Sequence, residues 1–327
     1  MPALVLVRTV SGLEWLAAEE VVAAGHRVVE MSKRQLIVEP TSEVLIEQPP
    51  RVADDLFEVH GLAPDPGRSK AGLVDAVRLA LQAAPADRGA FAVSASFVGA
   101  RTFNRFDVED RVGERIARLT GGRYHSRRHG VAPPDERSEW RVVLDGKTLW
   151  IALRPYAVPL HRRTWRRRTV QGSLHPPVAA AMARLARLAP GYDVVDPFCG
   201  AGTLLLEAHA LESRARYVGL DRDPAAIEAA QENGSTITWR RGDAAYLTTP
   251  ADRIVTNPPW DRRVHIGDLR PYIRRWHRSL RPGGLLVAIL AAHQVGQLAR
   301  GWQVHARHEI AVAGQHPAIV VAGPSRS

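Results

Sequence analysis

The sequence predicts an α/β chain in two parts: an α+β region, then a doubly wound, mostly parallel sheet ending in an antiparallel hairpin. Three observations predict it. From Asp193 onward, apolar strand-like runs alternate strictly with helical patterns; an acid or amide stands just where four of those runs stop; and before residue 155 the rhythm is β-α-β-β. Length agrees, because 327 residues exceed what a single core usually holds.

Ala3 to Val10 alternates like a strand, and Gly12 opens a helix that carries Leu13, Leu16, Ala17 and Val21 at helical spacing until Gly25. Short strands are expected at Arg27 to Glu30 and Gln35 to Glu39, followed by a helix near Val52 to Val59. Ala63 to Gly72, rich in Pro, Gly and Asp, reads as a boundary loop. Beyond it come a helix at Leu73 to Ala83, a strand at Ala90 to Val98, a charged helix at Val108 to Leu119 and a Gly121-Gly122 break. Glu139 to Leu144 and Thr148 to Leu153 flank Asp145-Gly146, a dipeptide that selects a hairpin turn.

Between Pro155 and Gly172 periodicity dissolves into His161-Arg162-Arg163-Thr164-Trp165-Arg166-Arg167-Arg168, a basic connector. After it the pattern predicts a helix at Pro177 to Leu188, a strand at Asp193 to Asp196, a helix at Thr203 to Leu211 and a strand at Tyr217 to Leu220. A helix at Ala225 to Glu232, strands at Thr236 to Trp239 and Arg253 to Thr256, a helix at Leu269 to Leu280 and a strand at Leu285 to Leu290 follow. Apolar runs at Ile310 to Val312 and Ala318 to Ala322 suggest the closing hairpin. The expected domains are 1-62, 63-155, a linker 156-174, and 175-327.

With 45% hydrophobic and 24% charged residues, both parts have the composition of folded soluble protein. A formal charge of +10 points to a polyanionic partner wherever it is clustered. Cys199 is the only cysteine, which excludes an intramolecular disulfide and a cysteine-based zinc site and suits a reducing cytoplasm. Leu285 to Ala292, the longest apolar run, is too short to cross a bilayer. His125 and His129 have a spacing that a helix would put on one face, but without an acidic or cysteine partner no metal site is expected.

In a doubly wound sheet, ligands sit outside the carboxyl ends of the strands, where the strand order reverses. The first predicted strand end here is Asp196-Pro197-Phe198-Cys199-Gly200-Ala201-Gly202-Thr203, in which two glycines let the backbone approach a ligand at a helix N-terminus. The third glycine of a dinucleotide fingerprint is missing, so something smaller than a pyrophosphate is expected. Asp221 closes the second strand, where a carboxylate accepts both hydroxyls of a ribose, and Asp243 follows the third, placed to accept from an adenine amine. Helix capping accounts for each aspartate singly, though not for an acid or amide at every strand end. The fourth end is Asn257-Pro258-Pro259-Trp260: a stiff corner offering an amide oxygen, a carbonyl and an aromatic plate, suited to a planar heterocycle with an exocyclic amine.

On these two motifs, residues 175-327 resemble class I S-adenosylmethionine-dependent methyltransferases of the amino-methylating kind. Val5 to Glu14 and the block from Val93 to Arg105 through Trp150 are similar to the ferredoxin-like and THUMP regions of RNA guanine-N2 methyltransferases, so the resemblance covers nearly the whole chain. It implies a Rossmann-like methyltransferase domain behind a THUMP RNA-binding domain that holds the acceptor end of tRNA. It also implies methylation of a guanosine in the acceptor stem, with S-adenosylhomocysteine as product. Asp196, Pro197, Gly200, Gly202 and Thr203 would contact the methionine moiety, Asp221 and Arg222 the ribose and adenine edge, and Asp243 with the Ala244 backbone the adenine. Asn257, Pro258 and Trp260 would hold the acceptor base, with Asn257 also bordering the cofactor. Arg222 departs from an apolar residue common there, and Asp261-Arg262 from a glycine common after the corner. Arg101, Arg105, Arg127, Arg128, Arg162, Arg163, Trp165, Arg166 and Arg167 are the expected RNA contacts, on a monomer that binds no membrane. The rival readings are methylation of rRNA guanine N2 or of adenine N6 in DNA or RNA, and an RNA-binding protein whose transferase is vestigial.

Overall fold

In a computed structural model, which describes residues 4–84, 88–260, 267–298, 301–312 and 314–325, the chain gathers into two units. The first comprises Met1–Arg8, Val21–Pro50 and Asp55–Leu160; the second comprises Thr9–Glu20, Arg51–Asp54 and His161–Ser327.

The chain opens with β1 (Val5–Thr9), α1 (Glu14–Ala23), β2 (Arg27–Ser32), β3 (Gln35–Glu39), a single turn α2 (Val44–Glu47) and β4 (Ala53–Pro64). It continues with α3 (Lys70–Ala80), β5 (Ala90–Phe97), α4 (Arg105–Thr120), β6 (Arg123–Tyr124), β7 (Ser138–Leu144) and β8 (Thr148–Leu153). One eight-stranded sheet, ordered β2-β3-β1-β4-β8-β7-β5-β6, runs through both 1–62 and 63–155.

The helix expected near Val52 to Val59 is strand β4. Its local spacing allows a helix, but long-range pairing decides: Glu58 sits opposite Leu153, Val59 N–H donates to the Leu4 carbonyl, and Arg154 pairs with Asp55 at 2.6 Å. The strand continues to Pro64, so the boundary loop shrinks to a short turn before Ser69, whose hydroxyl accepts from Gly72 N–H and caps α3. The Asp145-Gly146 hairpin is present, with Gly146 at φ +96° and Asp145 accepting from the N–H groups of Lys147 and Thr148. Trp140 and Phe91 lie at the centre of the core between this sheet and α3 and α4. His125 and His129 follow β6 in non-helical chain, so no helical face pairs them.

The second unit adds α5 (Pro176–Leu185), β9 (Asp193–Asp196), α6 (Thr203–Leu211), β10 (Arg216–Asp221), α7 (Pro224–Asn233), β11 (Thr238–Arg241) and β12 (Ala251–Thr256). Then come α8 (Arg270–Ser279), β13 (Leu280–Leu290), α9 (Ala292–Val295), β14 (Trp302–Glu309) and β15 (Ala318–Pro324). The strand order is β11-β10-β9-β12-β13-β15-β14, parallel from β11 to β13 and antiparallel at β15 and β14. This is the expected doubly wound sheet. Its near-continuous apolar strands (Val194, Val195, Ile254, Val255, Leu286 to Leu290) are buried because parallel strands need cover on both faces.

The closing hairpin is present but displaced. Its first strand is Trp302–Glu309, not Ile310 to Val312. As the outer edge strand, β14 leaves Gln303, His305 and Arg307 exposed to solvent, so no apolar run announces it. Among the described residues, no helix is long and apolar enough to cross a membrane.

Candidate active site

The order of the second sheet reverses between β9 and β12: the chain winds outward through β10 and β11, then returns to the other side of β9. A crevice opens at such a switch point because the connections on either side of it leave in opposite directions. The predicted residues cluster at its rim. Arg253 and Ile254 pair with Val194 and Val195, and Gly219 pairs with Asp196, which places Asn257 and Asp221 both just past the end of β9.

Asp196 ends β9, 2% exposed, and accepts from Phe198 N–H at 3.0 Å. Burial pushes its carboxyl up to about 7, and the nearby Asp221 adds to the shift. Such a group is poised to ionise when a cation arrives. In the unfolded chain it ionises near 3.8, in the folded protein near 7, so between these values the folded state holds the extra proton. The contribution of Asp196 to the stability of the ligand-free protein is therefore greatest below about pH 4, falls by up to a few kcal/mol as pH rises, and levels off above about pH 7. Urea melts across this range check it, and Asp196→Asn should flatten the profile.

The glycine loop turns at Gly200 (φ +52°) and Gly202 (φ +82°). Asp221 holds it directly: one carboxylate oxygen accepts from Gly200 N–H at 2.9 Å, the other from Asp223 N–H at 3.0 Å. Two lone pairs remain for a ligand's hydroxyls. The glycine at 202 has a second cause, since a Cβ there would meet the Trp239 ring at 2.6 Å. Gly219 is under the same indole, whose N–H is tied to the Gly234 carbonyl at 2.7 Å. Gly202→Ala should cost about 2–4 kcal/mol in denaturant melts, from left-handed backbone strain and overpacking together. A loss under about 0.5 kcal/mol would mean that the indole simply yields.

Beyond β10 and β11, Asp243 is exposed and caps the turn at Ala244–Tyr246 by accepting from Ala245 N–H. Arg222 is exposed, and its charge and that of Asp243 both act on Tyr272, whose ring packs 5.4 Å from that of Phe198. An aromatic pair thus stands within reach of the charges of Arg222 and Asp243.

At the fourth end, the Asn257 side-chain oxygen is buried and has no hydrogen-bond partner among the described residues. The Thr203 hydroxyl is in the same condition, while the Thr256 hydroxyl bonds to the Asp196 carboxyl. Buried polar atoms are nearly always satisfied, so the Asn257 oxygen and the Thr203 hydroxyl are two acceptors that the crevice leaves open to a ligand. The corner that carries Asn257 is held rigidly. Gln294, fully buried, donates its amide to the Pro259 carbonyl at 2.8 Å while accepting from Ala291 N–H at 3.1 Å. The Trp260 indole N–H donates to the Ile289 carbonyl at 3.3 Å. Asp261 and Arg262 lie outside the described residues.

Three supports escaped the sequence. Asn233, at the end of α7, accepts from Arg167 and Arg168 N–H and donates to the Ala201 carbonyl, strapping the connector to the glycine loop. Gln294 and Trp239 act through packing that no spacing announces. Asp54, His161 and His175 also come together, with potential ligand atoms within 4.8 Å of one another and His175 Nε2 2.6 Å from Asp54. Distant residues make that group, so counting His125 and His129 could not find it.

The predicted RNA contacts divide by placement. Arg101 is turned inward, its side chain 4% exposed and bidentate to Asp65, so it staples the fold and does not present a phosphate contact. Arg127 and Arg128 are partly exposed and pair with Glu109 and with Asp107 and Asp110. Arg105 is exposed beside the Phe106 ring. In the connector, Arg163 is bound to Glu207, while Arg162 and Arg167 are exposed and Trp165 and Arg166 half-buried.

Residues 163–316 match the family described as RMKL-like, methyltransferase domain. The chain is 36% identical over 192 residues to the tRNA (guanine(6)-N2)-methyltransferase of Thermus thermophilus, covering 54% of this chain and 53% of that enzyme. The chain thus spans about half the length of the curated relative it matches. In structure, TrmN from Thermus thermophilus superposes over 98% of this chain and 99% of its own, with a TM-score of 0.82 and 26% identity. SMU.472, solved in complex with SAH, shares the fold at a TM-score of 0.76 and 13% identity over 99% of both chains. The matched segment contains the switch-point crevice and each of its rims, so the similarity to an RMKL-like methyltransferase domain covers the whole candidate site, on a class I methyltransferase fold.

Proposed function

We propose that the protein transfers a methyl group from S-adenosylmethionine to the exocyclic N2 of a guanosine in RNA, with tRNA as substrate. The observation that carries this reading is the buried, unpartnered side-chain oxygen of Asn257 on a rigid Pro-Pro-Trp corner at the switch point. The names of the relatives agree with it.

The donor supplies an electrophilic methyl on a sulfonium. The residues of the crevice fit such a molecule. Asp196, buried and raised toward neutrality, would meet its ammonium; Pro197, Gly200, Gly202 and the orphaned Thr203 hydroxyl would line its amino-acid end. Asp221 keeps lone pairs for the ribose, and Asp243 with the Ala244 N–H would meet the adenine, beside Arg222 and the Phe198–Tyr272 pair.

A guanine N2 lone pair is delocalised into the ring and attacks poorly. Two hydrogen bonds from its N–H groups, to Asn257 Oδ1 and the Pro258 carbonyl, draw the nitrogen toward tetrahedral geometry and free that lone pair. Because Gln294 occupies the next carbonyl, that of Pro259, the corner cannot swing to relieve the strain. Stacking on Trp260, whose ring is oriented by its bond to Ile289, aligns the base with the methyl. A paired base must first leave its helix, at a cost of a few kcal/mol. Basic side chains at Arg105, Arg127, Arg128, Arg162 and Arg167 would offset that through phosphate contacts, with 63–155 as the THUMP RNA-binding domain, in a cytoplasmic monomer.

The test is transfer of labelled methyl to tRNA from a strain lacking the gene, followed by nucleoside analysis. N2-methylguanosine in tRNA is expected. Label in rRNA only, or N6-methyladenosine, would replace the substrate, and donor binding without transfer to any RNA would show a vestigial transferase.

A further inference from the structure

The connector carries a cavity that the methyl-transfer site does not use. It measures about 600 Å³, and His161, Arg162, Arg163 and Arg166 line it together with Thr169 and Gln171, with no carboxylate in the described lining. Two of these cations have different fates. Arg163 is spent internally, its Nε donating to Glu207 at 2.8 Å and its Nη2 to the Arg51 carbonyl at 2.6 Å. Arg166 has a buried Nε with no hydrogen-bond partner among the described residues. A half-buried guanidinium with one N–H cut off from water and lacking an acceptor is suited to an anion that reaches it from the cavity. Its burial lowers its pKa, and the Glu207 carboxylate, which bonds Arg51 and Arg163 directly, offsets this only in part.

The cavity adjoins the glycine loop. Val170, which lines it, would lie 3.7 Å from a side chain built on Gly200, and Asn233 ties Arg167 and Arg168 to the Ala201 carbonyl. The cavity therefore borders the glycine loop through Val170. Its volume and its several cationic and hydroxyl or amide groups suit a phosphodiester with its flanking sugar better than a lone carboxylate.

We propose that this cavity, with Arg166 at its wall and Arg162 beside it, binds a backbone phosphate of the substrate RNA next to the nucleotide drawn into the crevice. This rests on the RNA-methyltransferase reading and deepens it. Once the base is extruded, its own phosphate leaves the helical path, and a fixed guanidinium beside the cofactor loop captures it there. The connector is then part of the substrate site as well as a link.

The test titrates the full-length protein and its Arg166→Ala and Arg166→Lys variants with a fluorescent tRNA transcript over a range of salt, and separately with S-adenosylmethionine by calorimetry. Arg166→Ala should bind tRNA about tenfold more weakly, with the slope of log K against log salt reduced by about 0.7–0.9, the release of one counter-ion. Donor affinity should stay at the wild-type value, which also shows that the variant is folded. Arg166→Lys should recover the salt slope but only part of the affinity, because an ammonium lacks the planar fork. Loss of donor affinity with tRNA binding intact would assign the cavity to the donor's carboxylate and overturn the proposal, as would tRNA binding unchanged in both variants. Wild-type protein that binds no RNA would sink the underlying reading instead. Inorganic phosphate then decides the cavity: a thermal shift abolished in Arg166→Ala supports an anion site, and no shift overturns it.

Discussion

Asn257→Ala is expected to lower kcat about 10²–10³-fold while leaving the Kd for S-adenosylmethionine unchanged, the effect of removing one preorganised acceptor used only as the transition state forms. The side-chain oxygen is buried and has no partner among the described residues, so its removal breaks no hydrogen bond seen there. Neighbouring supports persist, because Gln294 still holds the Pro259 carbonyl and Trp260 still bonds to Ile289. Single-turnover transfer to tRNA, with donor affinity by calorimetry, separates the two quantities. Parallel loss of both would place Asn257 in the donor site. A kcat within about threefold of wild type would remove the amide from the chemistry.

Asp221→Ala is expected to do the opposite, weakening donor binding by about 100-fold or more and abolishing turnover at ordinary donor concentrations. Two effects coincide. The ribose loses a charged acceptor, a bond of roughly 1.5–3 kcal/mol, and the glycine loop loses the carboxylate that accepts from Gly200 N–H. Asp221→Asn keeps one acceptor oxygen for the loop and should fall between the two. Calorimetry checks both variants, and saturating donor should restore part of the kcat of Asp221→Asn. Wild-type donor affinity in Asp221→Ala would show that the carboxylate serves the loop alone.

These two residues were legible in the sequence for a physical reason. A parallel strand is a continuous apolar run, so a polar residue at its end stands out, and connectivity places that end at the crevice. The Asp145-Gly146 hairpin was legible for a similar reason, because its turn conformation admits few residues. The helix expected at Val52 to Val59 failed where local spacing was outweighed by pairing with Leu4 and β8, nearly a hundred residues further along the chain. The closing hairpin slipped because an edge strand need not be apolar. Arg101 looked like every other arginine of its cluster until Asp65, distant in sequence, was found to claim it.

What the sequence by itself determined is the doubly wound class, the four strand-end signals and the Asn257 to Trp260 corner, all set by short-range chemistry at points where the chain must turn. Only the tertiary structure decided which of those groups remain unsatisfied, which arginines are spent internally, and that Gln294, Asn233 and Trp239 hold the crevice in shape. Such facts depend on partners brought together by packing, and a buried donor or acceptor is satisfied or orphaned by its neighbours in space, which spacing along the chain does not record.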